Sequence, residues 1–180
     1  MQTHLPTVVT RNPLAILLLV LASIAVVLIT EDSTQRAAAL VQKLGAIAEN
    51  RLHLYDLTKA VLDAESGQRG YLLTGQEEYL VPYTAALKSI DVAFAQLDAA
   101  YGREPRSAGL LKKLHSLTET KLSELAIPVK MQKEGRRQTG REFTLSGIGQ
   151  EYMDAIRTTG AELLQVETHR LQSSQNAVSD

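Results

Sequence analysis

The sequence predicts an all-α protein, an up-down antiparallel four-helix bundle preceded by one amino-terminal transmembrane helix. No window shows the period-two alternation that is typical of a half-buried strand. Apolar residues make up 44% of the 180 residues, yet aromatics make up only 4% and tryptophan is absent, which favours helical cores of Leu, Ile, Val and Ala. Apolar positions also recur at gaps of three and four along most of the chain, as amphipathic helices require.

The segment from Pro13 to Thr30 carries no charged residue and predicts the transmembrane helix. At about 1.5 Å per residue it spans roughly 27 Å, close to a hydrocarbon core of about 30 Å. A cleaved signal peptide is the alternative, but its apolar core is usually only about 7–15 residues long, and here Glu31 and Asp32 follow in place of a small-x-small site. Arg11 before the span places residues 1–12 in the cytoplasm and residues 31–180 outside it.

The first predicted helix of the bundle runs from about Glu31 to Leu73. On a wheel of about 100° per residue, its apolar positions fall within about 60° of one line, and so do Glu65 and Arg69. These apolar positions are Leu40, Leu44, Ile47, Leu54, Val61, Leu62 and Leu72. Buried charges are costly unless paired, and Glu four residues before Arg is the favourable order in a helix. The pattern predicts a buried ion pair, either structural or part of a switch or ligand site.

The second helix has two possible starts, a capping box of Thr74 with Glu77, or a first turn that holds Pro82. Its apolar positions follow at alternating gaps of three and four, which predicts bundle or coiled-coil packing. They are Leu80, Tyr83, Leu87, Ile90, Phe94, Leu97 and Tyr101.

The third helix is predicted to begin with Ser107 as its cap and to kink near Pro128. Its inner face is assigned to Leu111, Leu114, Thr118, Leu122, Leu125 and Val129. Residues 135–149 predict a loop with a brief helical piece around Glu142 to Leu145 and a solvated basic cluster of Arg136, Arg137 and Arg141. The last helix is predicted from about Glu151 toward Asn176, with Tyr152, Ile156, Leu163 and Val166 on its inner face.

Composition and motifs argue against catalysis and cofactor binding. With 19 basic and 20 acidic residues, the charge balance does not suggest a nucleic-acid surface. Zero cysteines exclude disulfides, thiolate nucleophiles and Cys-ligated zinc. The four histidines lack ligand spacing. We therefore predict no catalytic residue, no cofactor and no metal ligand.

Residues 63–75, Asp-Ala-Glu-Ser-Gly-Gln-Arg-Gly-Tyr-Leu-Leu-Thr-Gly, are followed by Glu-Tyr-Leu and Pro-Tyr. This order resembles the signature of the type-three CHASE family, the extracellular sensory domains of bacterial histidine kinases and cyclases. The run at residues 149–157 is similar to the last-helix pattern of the family, and the likeness spans the chain from about Pro13 to the end. The signature residues, which are candidates for a switch, are Asp63, Glu65, Gln68, Arg69, Gly70, Tyr71, Gly75, Tyr79, Pro82 and Tyr83.

The resemblance implies a sensory input module on the periplasmic side of the bacterial inner membrane, which passes a helix displacement to a histidine kinase or cyclase output. In a second form of this hypothesis, the protein is a stand-alone relative that acts through a cytoplasmic or membrane signalling partner. We expect a parallel homodimer along the first and last helices. The small-molecule ligand stays undefined. Two alternatives remain open, a non-sensory periplasmic adaptor or scaffold and a chemoreceptor-like ligand-binding bundle.

Overall fold

The computed structural model describes residues 13–144 and 147–179, and every regular element within them is helical. The helices are α1 (Pro13–Thr74), α2 (Leu80–Tyr101), α3 (Pro105–Lys133), α4 (Arg137–Thr144) and α5 (Ile148–Ser179), with a 3₁₀ turn at Glu77–Tyr79 before α2. These described residues contain no strand, so the predicted all-α class is confirmed.

Contacts between Cα atoms divide the chain into two units, residues 1–45 and residues 46–180. The described part of the first unit is helical, and Leu14, Leu18 and Val27 are among its exposed apolar side chains. Among the residues that the structure describes, no helix combines the length and the apolarity needed to cross a membrane. The transmembrane helix predicted at residues 13–30 is therefore not confirmed.

The main hydrophobic core of the second unit takes side chains from four helices, α1, α2, α3 and α5. It comprises Leu54, Leu57, Ala60, Val61, Ile90, Ala93, Phe94, Leu97, Tyr101, Leu111, Leu114, Met153, Ile156 and Leu163. The predicted α2 stripe is confirmed over its second half, where Ile90, Phe94 and Leu97 are buried. The predicted α1 stripe is wrong at Leu40, Leu44 and Leu62, which are 36%, 50% and 41% exposed. Within the second unit, the buried face of α1 is centred on Leu57, Val61 and Ala64.

The end of α1 differs from the predicted capping box. Gly75 adopts a φ of 75°, and its N–H donates to the carbonyl of Tyr71 at 2.7 Å, which is a left-handed cap. Thr74 is thus the last residue of α1, and its hydroxyl accepts a hydrogen bond from the N–H of Gln76. The capping box of Thr74 and Glu77 is wrong because the left-handed glycine separates the two residues. Pro82 lies in the first turn of α2, as the other predicted start requires.

The start of α3 also differs from the prediction. The Glu104 carboxylate accepts hydrogen bonds from the N–H groups of Arg106 and Ser107, at 3.2 and 2.6 Å, and therefore caps the helix. Pro105 occupies the first helical position, which suits its fixed φ. Ser107 is buried inside α3, so its assignment as the cap is wrong.

The segment predicted as a loop after α3 is mostly helical. It contains the whole of α4, which begins earlier than the expected helical piece around Glu142, and α5 begins at Ile148. Leu145, the expected end of that piece, lies outside the described residues. Pro128 is buried within α3, which continues to Lys133, and the kink there stays a prediction.

Candidate functional site

A cluster of charged side chains lies inside the second unit and joins α1 to α3. The Lys121 ammonium lies 3.2 Å from Oε2 of Glu65 and 2.9 Å from Oε2 of Glu124. Arg69 binds the other oxygen of Glu65 at 2.5 Å. The positive and negative groups alternate from Arg69 through Glu65 and Lys121 to Glu124, so the formal charges cancel. We call these four residues the Lys121 cluster.

Within the Lys121 cluster, burial is lowest at Arg69 and highest at Lys121. The exposed fraction of the side chain is 61% for Arg69, 16% for Glu65, 9% for Glu124 and 1% for Lys121. The predicted burial of the Glu65–Arg69 pair is therefore correct only in part for Glu65, which keeps 16% of its side chain exposed, and wrong for Arg69. A long arginine side chain keeps its guanidinium in water while its stem covers the helix. The buried counter-charge of Glu65 is Lys121.

The first turn of α5 packs directly on the Lys121 cluster at Gly149. A Cβ atom at this position would lie 2.5 Å from Nζ of Lys121 and 2.9 Å from Oε2 of Glu124, both closer than van der Waals contact. The amino-terminal end of a helix carries a partial positive charge, which favours a carboxylate such as Glu124 nearby. The Lys121 cluster thus connects α1, α3 and the beginning of α5.

Two glycines of α1 form the contact with the start of α2. A Cβ on Gly67 would lie 2.8 Å from the carbonyl oxygen of Tyr79 and 2.9 Å from the backbone nitrogen of Tyr83. A Cβ on Gly70 would overlap the Tyr79 ring. Tyr83 is half-buried, and this burial raises the pKa of its hydroxyl. Glycine lets α1 approach the backbone at the start of α2 at position 67 and the Tyr79 ring at position 70.

The other signature residues fall into a buried group and an exposed group. Gln68 is fully buried, and its Nε2 donates to the carbonyl of Leu125 on α3 at 3.2 Å. Tyr71 is buried as well. Asp63 instead pairs with Lys59 on the exposed side of α1, at 2.5 Å. The structure therefore does not bring Asp63 to the Lys121 cluster, and Pro82 is exposed in the first turn of α2.

The predicted solvated basic cluster after α3 is confirmed, since Arg136, Arg137 and Arg141 are all exposed, but Arg141 also contacts α1. The Arg141 guanidinium donates to the carbonyls of Leu72 and Leu73, both at 3.4 Å, and so satisfies two acceptors at the end of α1. Arg136 pairs with Glu134, and this hydrogen bond lowers the pKa of the Glu134 carboxyl. Helix α4 thus supports the carboxyl end of the signature helix.

A family model described as the CHASE3 domain matches residues 41–177, which include the signature, the Lys121 cluster and Gly149. The chain belongs to the CHASE3 domain family. The sensor domain of the histidine kinase HK9 from Rhodopseudomonas palustris is similar in structure, with a TM-score of 0.64 and 25% sequence identity over 70% of this chain and 98% of that domain. A comparison with curated proteins yields no match. The CHASE3 assignment makes this chain a sensory domain and confirms the resemblance.

Four residues of this CHASE3 domain were not predicted as site residues, namely Gly67, Lys121, Glu124 and Gly149. A signal for Lys121 was present, because Leu114, Thr118, Lys121, Leu125, Pro128 and Gln132 follow gaps of four and three and are all buried. The sequence prediction assigned Leu122 to the inner face of this helix, but Leu122 is only partly buried. The partner of Lys121 comes from another helix, and the pattern of α3 alone does not identify it.

Proposed function

We propose that this CHASE3 chain is a membrane-anchored extracytoplasmic input module of bacterial signal transduction and that the Lys121 cluster is its switch. The observation that carries the proposal is the meeting of Glu65 from α1, Lys121 from α3 and Gly149 from α5 at one buried contact. The likeness to a histidine kinase sensor domain favours a sensory role over a scaffold.

A buried ion pair is favourable only when its geometry is good, because the desolvation cost of each charge is otherwise not recovered. A shift of α5 relative to α1 would change the environment of Lys121 through the contact at Gly149. The cluster would act as a two-state element if two helix arrangements with different contacts at Lys121 lie within about a few kcal/mol of each other, so that a stimulus can shift the population between them. The proposed output is a histidine kinase or a cyclase, in the same chain or in a signalling partner.

The proposed organisation places residues 1–12 in the cytoplasm, residues 13–30 in the inner membrane and residues 31–180 in the periplasm. Support comes from the uncharged sequence between Pro13 and Thr30 and from the exposed apolar side chains of that segment. We further propose that α1, α2, α3 and α5 form an up-down antiparallel four-helix bundle. The shared core of these helices and the short connection between α2 and α3 support it.

A topology experiment tests the proposed anchor. A reporter that is active only in the periplasm, fused after Asp180, should be active, and the fusion should remain in the membrane fraction at full length. The same fusion with a reporter that is active only in the cytoplasm is the control and should be inactive. Recovery of a shortened, soluble species would contradict the anchor.

The switch is tested in a chimeric receptor that joins this chain to the membrane span and kinase of a receptor with a measurable output. Replacing Lys121, Glu65 and Glu124 together by leucine removes the buried charges without stranding one. We expect a folded triple variant whose output is lost or locked, whereas Lys130→Met, at an exposed position of α3 outside the cluster, should retain normal output. A stable triple variant with normal signalling would identify the cluster as purely structural.

We also propose a parallel homodimer along α1 and α5, the predicted first and last helices. Leu52, Tyr55 and Leu62 on α1 are exposed apolar residues that a second copy would cover. Sedimentation of the full chain in detergent should show a dimer whose fraction rises with protein concentration. A monomeric mass across a hundredfold concentration range would contradict it.

A further inference from the structure

Three polar side chains from α1, α2 and α5 form a hydrogen-bonded layer that shares no residue with the Lys121 cluster. Nδ2 of Asn50 on α1 donates to Oε1 of Glu167 on α5 at 2.8 Å, and the hydroxyl of Tyr101 on α2 donates to Oε2 at 2.8 Å. Tyr101 is buried, and its burial and the Glu167 carboxylate raise the pKa of its hydroxyl, which therefore keeps the proton that it donates. We call these three residues the Glu167 layer.

The Glu167 layer occupies positions where the helical pattern calls for apolar side chains. On α1, Asn50 lies four residues before the buried Leu54, and on α5, Glu167 lies four residues after the buried Leu163. Among the described side chains, none before Leu54 on α1 and none after Leu163 on α5 is buried. The hydrophobic contact of α1 with α5 thus ends at a polar layer, and both helices continue past it.

The hydrogen bonds of the Glu167 layer depend on the position of α5 along its axis. Apolar contacts beside the layer are not directional, and a Cβ at Gly160 would lie at an ordinary 3.6 Å from Cδ2 of Leu54. A hydrogen bond instead requires about 2.7–3.2 Å between donor and acceptor. A slide of α5 by one turn, about 5.4 Å, would therefore break both bonds of Glu167 together. A partly buried carboxylate that loses its donors is costly, which disfavours intermediate positions.

We propose that the Glu167 layer is a latch that fixes the position of α5 along α1 and α2 and that opens when α5 is displaced. The proposal rests on the proposed function, in which a displacement of α5 is the signal. Polar residues at core positions of helical assemblies specify the register of the helices at a cost in stability. The Lys121 cluster at Gly149 and the Glu167 layer would then hold α5 at two points, about 27 Å apart along the helix.

Spin labels on α1 and α5 measure the register directly. The chain has no cysteine, so Ser66→Cys on α1 and Thr168→Cys on α5 introduce two label sites at exposed positions. Ser66 lies about 24 Å along α1 from Asn50, so a slide of α5 changes the distance between the labels. Pulsed electron paramagnetic resonance of the full chain in detergent, mixed with an excess of unlabelled chain, measures this distance within one copy. The chain with an intact layer should give one narrow distance.

The test variant combines Asn50→Leu, Tyr101→Phe and Glu167→Leu, which removes the layer and leaves none of its polar groups unpaired. We expect an unfolding temperature that is unchanged or higher, and a distance distribution that is broader or shifted by about 5 Å. Glu162→Leu is the matched control, because it removes an α5 carboxylate that forms a partly exposed pair with Lys113, and it should keep the narrow distance.

A narrow and unchanged distance in the triple variant would overturn the latch. If the triple variant does not fold, Tyr101→Phe alone decides, since it keeps the ring in the core and removes one of the two hydrogen bonds to Glu167. It should broaden the distance distribution relative to Glu162→Leu, and equal distributions in the two variants would overturn the latch.

The chimeric receptor separates the latch from the proposed function. The triple variant of the Glu167 layer should change the output, as should the leucine variant of Lys121, Glu65 and Glu124. A changed output from the Lys121 cluster variant with normal output from the Glu167 layer variant would overturn the latch and leave the proposed function intact. Normal output from both variants would overturn the proposed function, and a changed label distance would then support the layer as a determinant of register alone.

Discussion

The ammonium of Lys121 on α3 lies 3.2 Å from the carboxylate of Glu65 on α1 and is almost completely removed from solvent. Arg69, one turn after Glu65, binds the same carboxylate from the solvent side. Glu65 therefore has one buried and one exposed cationic partner. The two cations should contribute very differently to stability, because solvent screens the exposed one.

Lys121→Met should reduce the free energy of unfolding by about 3–5 kcal/mol, because it leaves Glu65 and Glu124 without their shared buried counter-charge. Arg69→Met, the matched control at the exposed end, should change it by no more than about 1 kcal/mol. Chemical denaturation of the full chain measures both values.

Replacing Lys121, Glu65 and Glu124 together by leucine should recover most of the loss caused by Lys121→Met, since no charge is then stranded. If Lys121→Met and Arg69→Met destabilise the protein equally, the assignment of Lys121 as the buried partner is wrong.

Gly149→Ala should destabilise the protein by about 1–3 kcal/mol, because the new methyl group would overlap the Lys121 ammonium and the Glu124 carboxylate. Gly109→Ala on α3 is the control, since no heavy atom lies within 4 Å of a Cβ there. That control should stabilise the protein by about 0.5–1 kcal/mol, because alanine is the better helix former. Opposite shifts of the unfolding temperature are expected, and shifts of the same sign would contradict the packing of α5 on the cluster.

Gly67→Ala and Gly70→Ala should both destabilise the contact between α1 and α2, by about 1–3 kcal/mol each. They differ in what the methyl group meets, the α2 backbone at Gly67 and the Tyr79 ring at Gly70. Adding Tyr79→Ala should therefore restore part of the stability that Gly70→Ala loses. It should restore none of the stability that Gly67→Ala loses. Thermal unfolding of the two single and two double variants checks this, and rescue of Gly67→Ala would contradict it.

Glu104→Ala should destabilise α3 at neutral pH, and the difference from the unchanged protein should shrink under acid. Hydrogen bonds from Ser107, from its side chain and its N–H, lower the pKa of the Glu104 carboxyl below its ordinary value of 4.5. A carboxyl with a lowered folded pKa contributes stability above its unfolded pKa and loses it as the pH falls through the folded value. The loss should therefore begin below about pH 4.5.

Unfolding temperatures between pH 7 and pH 3 measure the effect of Glu104. Glu104→Asp is the control, because aspartate is a preferred capping residue and should keep both the stability and its pH dependence. A difference between Glu104→Ala and the unchanged protein that stays constant over this range would show that the carboxylate does not cap α3.

The sequence by itself determined the helical class, most of the inner faces of the helices and the family. These properties depend on spacing within one element, such as the run of Ile90, Phe94 and Leu97 on α2, or on a continuous signature such as residues 63–75. The unusual position of Glu65 was also predictable from the sequence, because a helical wheel of α1 places it on the apolar face.

Only the tertiary structure decided which groups meet between helices. Lys121 is the buried partner of Glu65, and Gly149 brings α5 onto that pair, because the docking of three helices places residues that lie far apart in the chain within 4 Å of each other. The helix ends depended on which of several nearby residues forms the cap. The left-handed Gly75 ends α1 where a capping box of Thr74 and Glu77 was predicted, and Glu104 caps α3 ahead of Pro105 where Ser107 was predicted. Periodicity determines which face of a helix is buried, whereas the partner of a buried charge depends on how the helices dock.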